Sequence, residues 1–243
     1  MNKKDITVII PTSILPSHPS AHIIEETINS IRYHLPENEI IIQVDGLRFE
    51  RLDKKNVYDE FKNIILWKSL HEWKNVLPII FDVHSHQTTM MKETIKEIKT
   101  SSMLYVEADC PLVVDKEILW NECLDMLEYE KANTIRFHFE DFIPKPHLHL
   151  MLEKHDNFLQ TTQWSQRPHL SLIKYYKDVV LPFSEEKTFI EDRFHGKVQD
   201  DGWDNHKLWI YHPDGGIKRS RHLDGRQGTR KFTVDDLDWG YVD

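Results

Sequence analysis

Four β-rich runs separated by stretches of helical period fill the first half of this chain, and that alternation most restricts how it can fold. Ile6–Pro11 is a strand-like run ended by proline. Ser20 is placed to cap a helix in which Ile24, Ile28, Ile31 and Leu35 share one face before Pro36 closes it. Glu39–Val44 is a second strand, followed by a helix around Asp53–Trp73 that sets Val57, Phe61, Ile64 and Ile65 on one side. Val76–Val83 is a third strand, and Thr88–Lys99 is amphipathic through Met91, Ile95 and Ile98. Met103–Val106 is a fourth strand, with a helix expected from Asp115 to about Glu130 and a further extended run at Asn133–Phe139. Strands alternating with helices of this length predict βαβ units and a mostly parallel sheet flanked by helices.

Composition bounds the rest. The 243 residues carry 40% hydrophobic and 11% aromatic side chains, enough for a sizeable core, and lack a linker-like tract. One domain over 1–243 is expected, with about 1–130 forming a nucleotide-binding-like half and about 131–243 a less regular, specialised half. The formal charge of −9 disfavours nucleic acid as a non-specific partner. Two cysteines, Cys110 and Cys123, imply no disulfide framework. The start of the chain is too short in apolar residues for a signal peptide, and no long apolar stretch follows, so a soluble, cytoplasmic protein is expected.

The fourth strand carries the chemistry. Met103-Leu104-Tyr105-Val106-Glu107-Ala108-Asp109-Cys110-Pro111 ends in two carboxylates one residue apart, and a proline then stops the ladder. Acids at a strand's carboxyl end suit a hard divalent cation, which takes oxygen ligands and keeps sites for water and substrate phosphates. The plainer reading is a pair of solvated loop carboxylates.

Together these segments resemble the GT-A-fold nucleotide-sugar glycosyltransferases, in particular the inverting family 2 type. Ile6-Thr-Val-Ile-Ile-Pro-Thr, the helix segment Glu26-Thr27-Ile28-Asn29-Ser30-Ile31, and Ile40-Ile-Ile-Gln-Val-Asp45-Gly46 look like that family's opening. Glu107-Ala108-Asp109 stands where it carries an Asp-x-Asp metal motif, with Glu in place of the first Asp. Phe189-Ile190-Glu191-Asp192 resembles the Glu-Asp pair that supplies the base in inverting members. The resemblance covers roughly residues 6–195. It implies a GT-A-like single domain that uses Mn²⁺ or Mg²⁺, a nucleotide-sugar donor and a hydroxyl-bearing acceptor. By that pattern Asp109 binds the metal and Glu107 contacts the ribose, or the metal through water. Asp45 faces the base or ribose, Pro11, Thr12 and Ser13 line the nucleotide, and Asp192 is the general base with Glu191 as alternative.

Two further segments add candidates. Gln163-Trp164-Ser165-Gln166-Arg167 puts an aromatic, amides and a guanidinium in one loop, which makes Trp164, Gln166 and Arg167 acceptor-binding candidates. The tail Ile217–Lys231 holds Lys218, Arg219, Arg221, Arg226, Arg230 and Lys231 against Asp224. Such an excess suits a loop closing on a diphosphate through Arg221 and Arg226, or on an anionic acceptor. His222 lies in the same tail, where some relatives place a further metal ligand. The acceptor class stays open among glycans, metabolites and a modified nucleic-acid base.

A rival reading begins at Ile79–His86, a strand ending in His84-x-His86, similar to the zinc site that opens amidohydrolase barrels. His147-x-His149 offers a second pair. About 160 residues follow, few for the rest of a barrel that takes ~250. A third reading is a non-catalytic sugar- or nucleotide-binding module on the same fold.

Overall fold

The computed structural model describes residues 1–223. Strands β1 (Ile6–Thr12), β2 (Ile40–Val44), β3 (Val76–Ile80) and β4 (Ser102–Tyr105) pair in parallel, in the order β3-β2-β1-β4. The second half extends the same sheet through β5 (Thr134–Arg136), β6 (Met151–His155), β7 (Phe158–Thr161), β8 (His169–Leu172) and β9 (Leu208–Tyr211). Among the described residues the nine-stranded order is β3-β2-β1-β4-β8-β5-β9-β7-β6, with β8 antiparallel to both β4 and β5. An open, mixed sheet is not a (β/α)₈ barrel, so the amidohydrolase architecture is excluded.

Alternation along each strand divides the core in two. Ile6, Val8 and Ile10 join Ile40 and Ile42 beneath α1 (His22–His34) and α2 (Lys55–His71), and that layer continues to α4 (Trp120–Glu128). Ile9, Ile41, Met103 and Tyr105 point the other way. They meet α3 (His86–Thr94), the short turns α5 (Ile173–Tyr175) and α6 (Leu181–Phe183), which a π-turn joins, and α7 (Ile190–Asp201). A short helix, α8 (Trp203–His206), leads into β9.

The sequence expectations hold for the four parallel strands and the apolar face of α1. Several boundaries move. α1 starts at His22 behind Ala21, with Ser20 Oγ accepting from the His22 N–H at 3.4 Å and bonded to His22 Nδ1 at 3.0 Å. A 3₁₀ turn over Phe49–Lys54 precedes α2, where Tyr58, Phe61 and Ile65 are buried and Val57 is exposed. α3 ends at Thr94 and turns on through Ile95 and Ile98, which remain in the core. α4 begins at Trp120 rather than Asp115, because the preceding segment pairs with the tail. Leu112 bridges Ser220, Val113 N–H donates to Arg219 O at 2.9 Å, and Arg219 Nε donates to Glu117 O at 3.1 Å.

Candidate active site

The chain runs from β1 out to β2 and β3, then returns to β4 on the other side of β1. The crevice past the carboxyl ends of β1 and β4 is therefore a topological switch point, the usual ligand position in open α/β sheets. Beyond β4, Val106 N–H still donates to Ile9 O at 2.9 Å and Ala108 N–H to Pro11 O at 3.3 Å. Those bonds carry Glu107 and Asp109 out along β1 to the mouth of the crevice.

α1 fixes this acidic loop from one side. Thr27 Oγ1 donates to Ala108 O at 2.6 Å, and Ser30 Oγ accepts from Leu112 N–H at 3.0 Å while donating to Thr27 O at 2.7 Å. His34 donates through Nε2 to Val113 O at 2.9 Å. Thr27, Ser30 and His34 recur at helical spacing, so one face meets three successive stations of the loop. All three are buried, where an unpaired polar group is costly and a satisfied one specifies a single arrangement.

The tail fixes it from another side. Arg221 N–H donates to Pro111 O and Leu223 N–H to Asp109 O, both at 2.8 Å. Ser220 Oγ donates to Phe137 O at 2.8 Å, and Arg221 pairs with Glu26 of α1 at 2.8 Å. This strap sets His222 Nε2 3.4 Å from Asp109 Oδ2. Asp109, Cys110 and His222 offer ligand atoms that all lie within 4.8 Å of one another. Burial first, then Glu107 and Asp109, pushes the Cys110 thiol well above its ordinary range, so the ready donors are a carboxylate and an imidazole. Oxygen and nitrogen donors with further positions open fit Mn²⁺ and related divalent ions. Arg226 lies outside the described residues.

At the end of β2, Asp45 is buried and its carboxylate is extensively engaged. Oδ1 accepts from Gly46 N–H at 2.8 Å and Ser85 N–H at 2.7 Å, Oδ2 accepts from His86 N–H at 3.2 Å, and His84 Nδ1 stands 2.8 Å from Oδ2. Asp45 thereby shapes the loop after β3. Gly46 is required there because a Cβ would lie 2.0 Å from the Val83 carbonyl carbon. His86 Nδ1 accepts from the Gln87 N–H at 2.9 Å, and neither imidazole belongs to the metal-capable cluster among the described residues. His84 and His86 instead border a shallow cleft with Arg48, Phe49, Glu50 and Lys187. Pro11 and Thr12 are buried at the β1 terminus, and Ser13 is exposed beside them.

On the far side of the crevice, Trp164 is buried between Phe194, Tyr176 and His169, so its ring is core rather than an open sugar face. Its indole N–H donates to Gln166 Oε1 at 2.8 Å. Gln166 N–H donates in turn to Glu191 Oε2 at 3.0 Å, which ties the loop to the first turn of α7. Arg167 is half-buried over the Phe139 ring, 4.0 Å from its centroid, and its Nη1 reaches Cys110 Sγ at 3.8 Å. The loop at 163–167 and the acidic loop thus meet at Arg167. Asp192 is exposed in the same first turn as Glu191. His147 and His149 sit on a separate 3₁₀ turn, Lys145–Leu150. Sequence reasoning missed Arg136, which lies beneath this side; a charge inside the run Asn133–Phe139 was the available signal.

No family model and no curated protein matches the chain. Solved structures do. Residues 1–349 of S. aureus TarS in complex with UDP-GlcNAc superpose with a TM-score of 0.57 at 14% identity, over 98% of this chain and 61% of that one. The mannosyltransferase PcManGT from Pyrobaculum calidifontis, in complex with GDP-Man and Mn²⁺, gives 0.55 at 12%, over 88% and 56%. GalNAc-T7 with UDP, GalNAc and Mn²⁺ gives 0.55 at 13%, over 93% and 45%. The chain thus spans about 60% of the length of TarS 1–349. In fold, this chain is a GT-A-like α/β protein of the kind found in nucleotide-sugar glycosyltransferases.

Proposed function

We propose that the chain is a metal-dependent glycosyltransferase that moves a sugar from a nucleotide-sugar donor to a hydroxyl acceptor with inversion. The observation that carries this reading is the convergence of Asp109 and His222 at the β1/β4 switch point, from segments more than a hundred residues apart. Asp109 and His222 would hold a Mn²⁺ or Mg²⁺ ion. Such a cation, when bound, offsets the charge that grows on a departing diphosphate. Glu107 contacts the ribose or a water on the ion. Pro11, Thr12 and Ser13 line the nucleotide, Asp45 orders the loop on which the base rests, and Arg221 and Arg226 steady the diphosphate.

On the acceptor side, Glu191 holds the Gln166 backbone, and Trp164, Gln166 and Arg167 shape the pocket. Asp192, beside Glu191 and open to solvent, takes the proton from the attacking hydroxyl.

A screen of UDP- and GDP-sugars, with and without Mn²⁺, tests the reading through hydrolysis and thermal shift. Ligand at 100 times its dissociation constant stabilises by about 2.7 kcal/mol. Metal-dependent stabilisation with turnover is expected. Stabilisation without any turnover would favour the non-catalytic module, and no response to any sugar nucleotide overturns the proposal.

A further inference from the structure

Arg136 ends β5 at the floor of the acceptor side and is 4% exposed. Its Nη2 donates to Gln163 Oε1 at 2.9 Å, and among the described residues its Nε meets no acceptor. Burial pulls its guanidinium down to about 10; the Glu191 and Glu140 charges oppose that shift, and Arg167 adds to it. Arg167 is itself held by the Phe139 ring and the Cys110 sulfur, with no carboxylate ion pair among the described residues. A buried and a half-buried guanidinium thus lie close enough to repel each other. Of the two acids that oppose the shift, Glu191 already has Oε2 accepting from Gln166 N–H, and Glu140 Oε2 stands 3.7 Å from His138 Nε2.

Mutual repulsion and desolvation make such a pair expensive to keep. A structural arginine bridging Gln163 would not need a second guanidinium, nor an Nε left without an acceptor. A bound oxyanion answers both, because a planar fork of donors matches a phosphate's oxygens. Arg167 also spans from the acidic loop to the neighbourhood of Arg136. An anion seated there lies beside the position where the sugar would be transferred.

We infer that Arg136 and Arg167 form an oxyanion subsite for the acceptor, which would then be a hydroxyl compound carrying a phosphate ester close to its accepting hydroxyl. The inference rests on the transferase reading for the word acceptor, though not for the anion site itself. Gln163 keeps the Arg136 fork turned toward the ligand.

The test is calorimetric titration of glycerol 3-phosphate, with glycerol as the uncharged control. It is run on the full chain alone, and again with Mn²⁺ and saturating UDP or GDP to fill the donor site. Binding of glycerol 3-phosphate but not glycerol is expected in both arms. Arg167→Met should weaken it by about tenfold or more, and Lys99→Met, at an exposed position remote from the crevice, should leave it unchanged. Arg136→Gln should act in the same direction, and Arg167→Met keeps the test open if that variant does not fold. Equal binding of glycerol, an unchanged Arg167→Met, or displacement by the nucleoside diphosphate each overturns the inference; displacement would assign Arg167 to the donor's own phosphates. Phosphate binding that persists while no sugar nucleotide binds would leave the subsite standing and remove the transferase reading.

Discussion

Thr27 donates its hydroxyl to the backbone carbonyl of Ala108, 2.6 Å away and 81 positions along the chain. That bond joins a helix face to the loop bearing the candidate metal ligand Asp109. It also gives a physical meaning to the Thr-Ile-x-Ser-Ile segment. The hydroxyls of Thr27 and Ser30 are there to hold the acidic loop, and the neighbouring Ile28 and Ile31 are there for the core.

Thr27→Val should therefore cost stability and loosen the site together. Losing the bond leaves a buried carbonyl unsatisfied, at about 1–3 kcal/mol. Denaturant melts read the first effect, and the Mn²⁺ dependence of donor binding reads the second. A variant as stable and as metal-responsive as the parent would show that α1 does not position the loop.

Asp109→Asn removes the charge of the proposed metal ligand at the mouth of the crevice without touching the core. Metal-dependent donor turnover should vanish with the melting temperature little changed. Glu107→Gln should be milder, because the part proposed for it is played through water or the ribose. Full activity in the Asn variant would remove Asp109 from the site.

Asp192→Asn should slow transfer by about 10²-fold or more, within the range of general base catalysis, while donor affinity holds. Glu191→Gln should act differently, since its carboxylate receives the Gln166 N–H and sits near Arg136. Weakened acceptor binding and lower stability are expected there. If Glu191→Gln alone abolishes transfer with binding intact, the base moves one residue.

Acid should destabilise the fold through His169. Its ring is buried between Arg167 O at 2.7 Å and the Tyr176 hydroxyl at 2.7 Å, and burial lowers its pKa from 6.5 to about 4. The unfolded chain then binds the extra proton first as pH falls. The contribution is fully present above pH 6.5 and is lost between 6.5 and 4, on the order of 3 kcal/mol at the acid end. Urea melts across that window, compared with His169→Gln, measure it. A pH dependence identical in parent and variant would contradict the assignment.

His84→Ala with His86→Ala should lower stability by freeing the Asp45 carboxylate from a partner, and should leave metal content unchanged. Co-purified zinc that disappears in the double variant would restore a metal role for these imidazoles.

The parallel half of the fold was legible because its signals are local. Apolar runs such as Ile6–Pro11 and the Ile24, Ile28, Ile31 spacing of α1 record which side of each element is buried, and Pro36 and Asp45-Gly46 mark the ends. Glu107 and Asp109 stood out for a similar reason: charge at a strand's end has no packing explanation. The resemblance then gave each residue an expected role.

Tertiary structure alone decided what depends on distant pairing. The five remaining strands are short and interleave as β8-β5-β9-β7-β6, an order set by contacts across the sheet that no periodicity encodes. The delayed start of α4 follows from the strap at 217–223, a tertiary partner that overrides helix propensity from Asp115 onward. In sequence Trp164 is an acceptor-binding candidate that could equally be a core ring; three rings enclose it, which leaves Arg167 as the loop's outward chemistry. Arg136 stood as a weak signal in sequence because a lone arginine in a strand is ordinarily a surface charge. Its meaning comes from burial beside a second guanidinium, and burial is a property of the folded chain.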